Sequence, residues 1–238
     1  MISRRKLLKH SLLSIFLMRV QHVFAGPYFA FWKDSTPPAA VLTDSATNAS
    51  GLTNYSFTST NLGTASPDRK IVVAVGVRHT TARTINTVTI AGVTATTLVE
   101  LTGSGQQSCG LYIAAVPTGA TGTIDVALSG AASRAGIGVW AVTGLDSTTP
   151  TFTGSTTNTT TTSTTIDVDE GGIIIAANYG VGSSSGTWTN LTEDYDLALT
   201  GPNSFSGASS SFATAQTVTV TRSQASDTST SQVAAALR

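Results

Sequence analysis

Past residue 22 the chain holds one imidazole, His79, and one thiol, Cys109, so nucleophilic or acid–base chemistry would have few groups to draw on. A Ser-His-acid triad would need His79 as its base. That residue follows the apolar run ending at Val77-Arg78 and precedes Thr80-Thr81-Ala82, a turn setting that suits a surface histidine. Gly182-Ser183-Ser184-Ser185-Gly186 carries the letters of a nucleophile elbow. An elbow needs a strand before it and a helix after it, and Thr187-Trp188-Thr189 starts no helix. Cys109 sits just before an apolar strand, where a buried thiol is the ordinary outcome. Several more His or Cys would be needed for a zinc site.

Carboxylates are the remaining reactive or ligating groups. Asp167, Asp169 and Glu170 precede Gly171-Gly172, and Glu193, Asp194 and Asp196 follow Trp188. Oxygen-rich loops of this kind can hold calcium, which makes Asp167, Asp169, Glu193, Asp194 and Asp196 the metal candidates. Acids beside glycine also mark turns, and acids on edge strands keep sheets from pairing with one another. A glycosidase would need two acids facing each other across a cleft, and nothing in the spacing pairs them so. The expectation is a protein without a catalytic set and without a cofactor. Among the aromatics, Trp140 lies in Ile137-Gly138-Val139-Trp140-Ala141-Val142 and reads as core. Trp188 lies in the polar run Gly186-Thr187-Trp188-Thr189-Asn190 and is the candidate for an exposed, glycan-stacking ring.

The elements that would position these groups are strands. The 238 residues include 28 Ser, 42 Thr and 22 Gly, but only 11% are charged. That composition excludes coiled coils and helical bundles, which need Ala, Glu, Lys and Leu in bulk. Thirteen cations against 13 acids build no basic face for nucleic acid. One cysteine excludes a disulfide scaffold. Runs of four to eight apolar or β-branched residues recur roughly 8–14 residues apart with turn residues between them, the pattern of a sandwich or barrel. The strands Ile71–Val75 and Ile173–Ala177 are apolar on both pleat faces and should be central strands covered on both sides. Ile124, Val126 and Leu128 alternate with Thr123, Asp125 and Ala127, and Val218 and Val220 with Thr217, Thr219 and Thr221, as at a solvated sheet face. The fold expected is all-β: an antiparallel, jelly-roll-like two-sheet sandwich of about 10–12 strands, without substantial helix beyond an N-terminal arm. It would occupy 61–238 as one domain, with a Thr-rich surface loop or edge strand at 150–165.

The N-terminus is different in kind. Arg4, Arg5, Lys6, Lys9 and Arg19 fall within the first 19 residues, which hold no acid. A basic head, the apolar run Ser11 to Met18 and Ala25 before Gly26 follow the plan of a secretory signal, and Ser3 to Lys9 is similar to a twin-arginine export run. Eight apolar residues are too few to span a bilayer, so no transmembrane segment is expected. The same residues 1–25 read equally as a basic arm that docks on a partner. Residues 26–60 form a lead-in whose Tyr28, Phe29, Phe31 and Trp32 would plug a groove or cap the core. Arg4, Arg5 and these four aromatics are the candidate partner anchors.

Six segments stand out along the body: Pro67-Asp68-Arg69-Lys70, Val88 to Thr96, Leu111 to Gly119, Ile137 to Leu145, Trp188 to Asp196 and Gln232 to Arg238. In these the chain resembles β-sandwich structural proteins of tailed bacteriophages and prophages. The resemblance covers the body from about Tyr55 to the C-terminus, roughly three quarters of the chain, and the segments that carry it contain no active-site motif. The resemblance implies a virion component that decorates a capsid or builds a tail or fibre. Its partners would be other virion proteins or further copies of itself in a homo-oligomer. The export-like head points instead to a periplasmic or surface module that binds glycans, adheres or forms filaments by strand exchange.

Overall fold

The computed structural model describes residues 37–104, 106–182, 185–225 and 228–238, and Pro37–Arg238 forms one compact unit. The described residues are strands and connections without helix. The first half holds β1 (Ala39–Asn48), β2 (Leu52–Asn61), β3 (Lys70–Arg78), β4 (Ile85–Ile90), β5 (Val93–Thr94), β6 (Thr96–Ser104), β7 (Gln107–Ala115), β8 (Thr121–Ala132) and β9 (Arg134–Thr143). The second holds β10 (Phe152–Asn158), β11 (Thr161–Val168), β12 (Ile173–Val181), β13 (Gly186–Thr189), β14 (Thr192–Leu199), β15 (Asn203–Ser211), β16 (Gln216–Gln224) and β17 (Ser229–Leu237). Turn chemistry fixes the tightest hairpin: Ala91 and Gly92 both take positive φ, at 50° and 81°, as a two-residue connection between β4 and β5 requires.

These strands form four antiparallel sheets. Their orders are β1-β9-β3-β7-β6, β2-β8-β4-β5, β10-β17-β12-β15-β14 and β11-β16-β13. Replacing β1, β2, β3, β4, β6, β7, β8 and β9 by β10 through β17 in turn converts the first two orders into the last two; only the two-residue β5 lacks a counterpart. In each half the first strand lies beside the last and the second beside the penultimate, which is jelly-roll connectivity. Residues 37–238 are therefore a tandem pair of jelly-roll sandwiches.

The sheets stack in four layers with three apolar cores. Ile71, Val73, Val75 and Val77 of β3 pack with Tyr55, Val88, Ile124 and Val126 inside the first sandwich. From the opposite face of the same sheet, Val72, Ala74, Leu111 and Trp140 meet Ile173, Ile175, Phe205 and Val233 of the second half. Ile174, Ala176 and Ala234 then face Ile166, Val218 and Val220 inside the second sandwich. Both strands with two apolar faces are thus the middle strands of the two inner sheets, covered on each side. In the central layer β1 packs over β14 and β6 over β10, while β3 crosses β12. Equivalent strands exchange places, so the halves are related by an approximate two-fold axis.

The all-β sandwich stands as expected, with 17 strands in four sheets among the described residues where about 10–12 in two were expected. The lead-in expectation fails for residues 39–60, which supply β1 and most of β2. The tract at 150–165, expected as a surface loop or edge strand, supplies the edge strands β10 and β11. In β1 and β2 the strands are hard to read because edge strands bury little and their Thr and Ser blur the alternation that a more buried strand displays. The anchors Arg4, Arg5, Tyr28, Phe29, Phe31 and Trp32 lie outside the described residues.

Candidate functional site

Three of the five candidate calcium ligands, Asp167, Asp194 and Asp196, are engaged by protein donors. Asp167 accepts a hydrogen bond from Thr217 on the adjacent strand at 2.5 Å. Asp194 accepts the Trp140 indole N–H at 2.8 Å, a bond between the two halves. Asp196 accepts Arg222 Nη2 on both carboxylate oxygens at 3.3 Å, and the Gly186 amide besides. Among the described residues no three His, Cys, Asp or Glu side chains converge on a metal-sized site. Asp167, Asp194 and Asp196 therefore hold strands together. Burial lifts the Asp194 carboxyl above its ordinary range, with the hydrogen bonds from Ser209 and Trp140 pulling the other way. Burial also lifts Glu193, helped by Asp196 and opposed by Arg222.

Trp188, expected to be exposed, is only 7% exposed. Its indole N–H donates to Ser206 Oγ at 3.2 Å, and the Arg222 guanidinium lies over its ring, 6.0 Å from the centroid. A ring so covered offers no face to a sugar, and the glycan-stacking assignment is withdrawn. The polar letters around Trp188 misled because β13 alternates, with Thr187 and Thr189 outward and Trp188 inward.

Arg222 belongs to a polar network inside the second sandwich. Its Nη1 donates to Asn178 Oδ1 at 3.1 Å, and Thr230 Oγ1 donates to the same oxygen at 2.9 Å. Asn178 Nδ2 donates to Thr162 Oγ1 at 2.9 Å; Thr162 donates to Gln232 Oε1 at 2.8 Å; Gln232 donates to the Val220 carbonyl at 3.0 Å. Four strands, β11, β12, β16 and β17, are tied through five buried side chains. A network of this kind fixes register, because a slipped strand would strand several desolvated groups at once. Sequence reasoning missed it, since Thr162, Asn178 and Gln232 look like surface residues until the pleat is known.

His79, read as a surface residue, is 1% exposed. Ser108 Oγ donates to the Arg83 carbonyl at 2.7 Å, so the 3.2 Å contact between His79 Nε2 and Ser108 is an N–H donated by the ring. That arrangement points the serine proton away from the imidazole, which is the reverse of nucleophile activation. Cys109 is buried as expected, and desolvation pushes its thiol far above the reactive range. Of the elbow-like run, Ser183 and Ser184 lie outside the described residues, and strand β13 begins where an elbow would need a helix.

What the arrangement offers a partner is a sheet edge. The outermost strands are β1, β6, β2, β5, β10, β14, β11 and β13. Native sheets blunt such edges with bulges, charges or very short strands. Register breaks interrupt β1, β2, β6 and β14. Two strands are short, β5 with two residues and β13 with four. The long, regular edges are β10, which pairs with β17 from Phe152↔Ala236 to Asn158↔Thr230 without a break, and β11, which carries Asp167. Phe-Thr-Gly-Ser-Thr-Thr-Asn in β10 has no charge and no proline, and its Phe152 is 40% exposed. Among the described residues no helix is long and apolar enough to cross a membrane. Compared with protein-family models, curated proteins and solved structures, the chain matches none of them.

Proposed function

We propose that this chain is a non-enzymatic structural protein of a tailed-phage virion, capsid-decorating or tail-associated, attached through its N-terminal segment. The observation that carries the reading is the unblunted edge β10 on a duplicated sandwich whose polar side chains tie strands together. Such a body contributes by fitting against neighbours, through edge hydrogen bonds and a hydroxyl-rich surface that adds little charge repulsion. The phage-like segments of the sequence supply the setting, and the basic, aromatic N-terminus supplies an anchor.

The export-like run at Ser3 to Lys9 favours a second reading, a periplasmic or surface module that assembles by the same edge. Mass spectrometry of purified particles separates the two. The virion reading expects the protein in particles with residues 1–25 attached. Its absence from particles, or a mature chain starting at Gly26, overturns that reading and supports export.

A further inference from the structure

Four large apolar side chains are exposed among the described residues, Val41, Leu52, Val93 and Phe152, and all four sit on edge strands. Two of them are equivalent: Val41 stands opposite Ala141 on β9, and Phe152 opposite Ala236 on β17. Ala141 and Ala236 in turn stand opposite Ile71 and Ile174 of the matching middle strands. Both halves therefore present an apolar side chain at one topological position of their first edge strand, 60% exposed in one and 40% in the other.

The two edges differ in what surrounds that position. On β1 the register breaks between Leu42 and Asp44, and the Asp44 carboxylate accepts the amides of Ser45 and Asn61. On β10 nothing interrupts the pairing. A two-fold contact brings each residue against its own copy or a near neighbour of it, so a charged edge repels itself and an uncharged one does not. Carboxylates lie on β1 (Asp44), β6 (Glu100), β11 (Asp167) and β14 (Glu193, Asp194, Asp196). Bulges break β2, and β5 and β13 are short. Among the described residues β10 alone is long, regular and uncharged. Seven paired residues give about 24 Å of shared edge.

We propose that two copies of this chain pair through β10, antiparallel about a two-fold axis near Ser155, joining their five-stranded sheets into one of ten strands. This deepens the structural reading above by naming the partner of the edge. It does not depend on where the assembly resides. Phe152 of each copy lies near Asn158 of the other and loses its exposure in the contact.

Analytical ultracentrifugation of the purified full chain tests it. A concentration-dependent dimer is expected. Ser155→Lys, which sets two ammonium groups against each other, should weaken the dimer at least about tenfold, and Thr157→Lys should weaken it similarly. Val41→Lys, on the bulged edge, should leave it unchanged. Under mild oxidant Ser155→Cys should give a covalent dimer, since the native Cys109 is buried. A wild-type chain that stays monomeric at all concentrations overturns the proposal. So does a dimer that survives both β10 lysines, or one lost in Val41→Lys. Absence from virions would sink the virion reading and leave this one standing.

Discussion

Arg69, just before β3, and Arg134, at the start of β9, are two arginines in opposite circumstances. The guanidinium of Arg69, 0% exposed, donates to the carbonyls of Val116, Leu62, Gly63, Thr118 and Gly119 at 2.7–3.1 Å. It clamps the loops that enter β3 and leave β7, at one end of the first sandwich. Arg69→Ala should cost about 3–5 kcal/mol, because five oriented carbonyls lose a charged donor set; chemical denaturation measures it. Arg134 stands directly opposite Arg78 on the neighbouring strand, and its Nε and Nη1 are shielded from water without an acceptor. Like charges across a ladder repel, so Arg134→Met should leave the protein as stable or raise its melting temperature. A loss of more than about 1 kcal/mol would mean that Arg134 makes a bond of real worth. His79 lies beside the same basic group. Burial, then the charges of Arg78 and Arg83, hold its imidazole below the ordinary value. The unfolded chain therefore binds the proton more readily than the folded one. Stability from this group is present above about pH 6.5 and is lost as pH falls below it. Melting temperatures measured between pH 7.5 and 5 should show that decline, and His79→Gln should flatten it.

At the scale of the element, the Asn178 network decides how firmly β11 is held. Replacing Asn178 by Leu removes the acceptor of Arg222 and Thr230 and the donor to Thr162. A cost of about 3–5 kcal/mol is expected, with hydrogen exchange rising first in β11 and β16 while β8 in the other sandwich stays protected. Uniform loss of protection would mean that the network stabilises the whole chain and does not single out its edge. The same strands show what was legible from letters alone. Ile71–Val75 and Ile173–Ala177 announced themselves as doubly covered, since no solvated strand tolerates two apolar faces. Alternation placed Val218 and Val220 inward, as found. By contrast β1, β2 and β14 do not read as strands, and β10 reads only as a loop or edge strand, because edge strands bury little and show no clear apolar period. Trp188 is misplaced by sequence for a related reason: its polar neighbours one residue away point to the other face. The duplication could not be read at all, since equivalent strands share topology and not residues. Lys-Ile-Val-Val-Ala-Val-Gly-Val-Arg in β3 answers to Ile-Ile-Ile-Ala-Ala-Asn-Tyr-Gly-Val in β12.

For the whole molecule, the question is whether two jelly rolls behave as one body. The layer between them is the place to look. Its apolar centre is closed by polar bonds across the halves, Trp140 to Asp194 and Gln107 Nε2 to Ser229 and Ser231 at 2.6 and 3.1 Å. Rings from the second half fill the space left by missing side chains in the first. Tyr195 packs on Trp140 and Phe205 with centroids 5.7 and 5.6 Å away, and a Cβ on Gly138 would overlap its ring. Gly76 and Gly136 make the same room for Phe205. Separating the halves would expose the entire apolar face of both inner sheets, which neither sandwich covers by itself, so calorimetry should record one unfolding transition. Gly138→Ala tests the coupling from inside. Overpacking typically costs 1–3 kcal/mol, or roughly 2–12 °C in melting temperature for a chain of this size. If the layer joins the halves, that single substitution moves the whole transition downward without splitting it. Two separate peaks, or a shift confined to one of them, would make the jelly rolls independent domains that share only a linker.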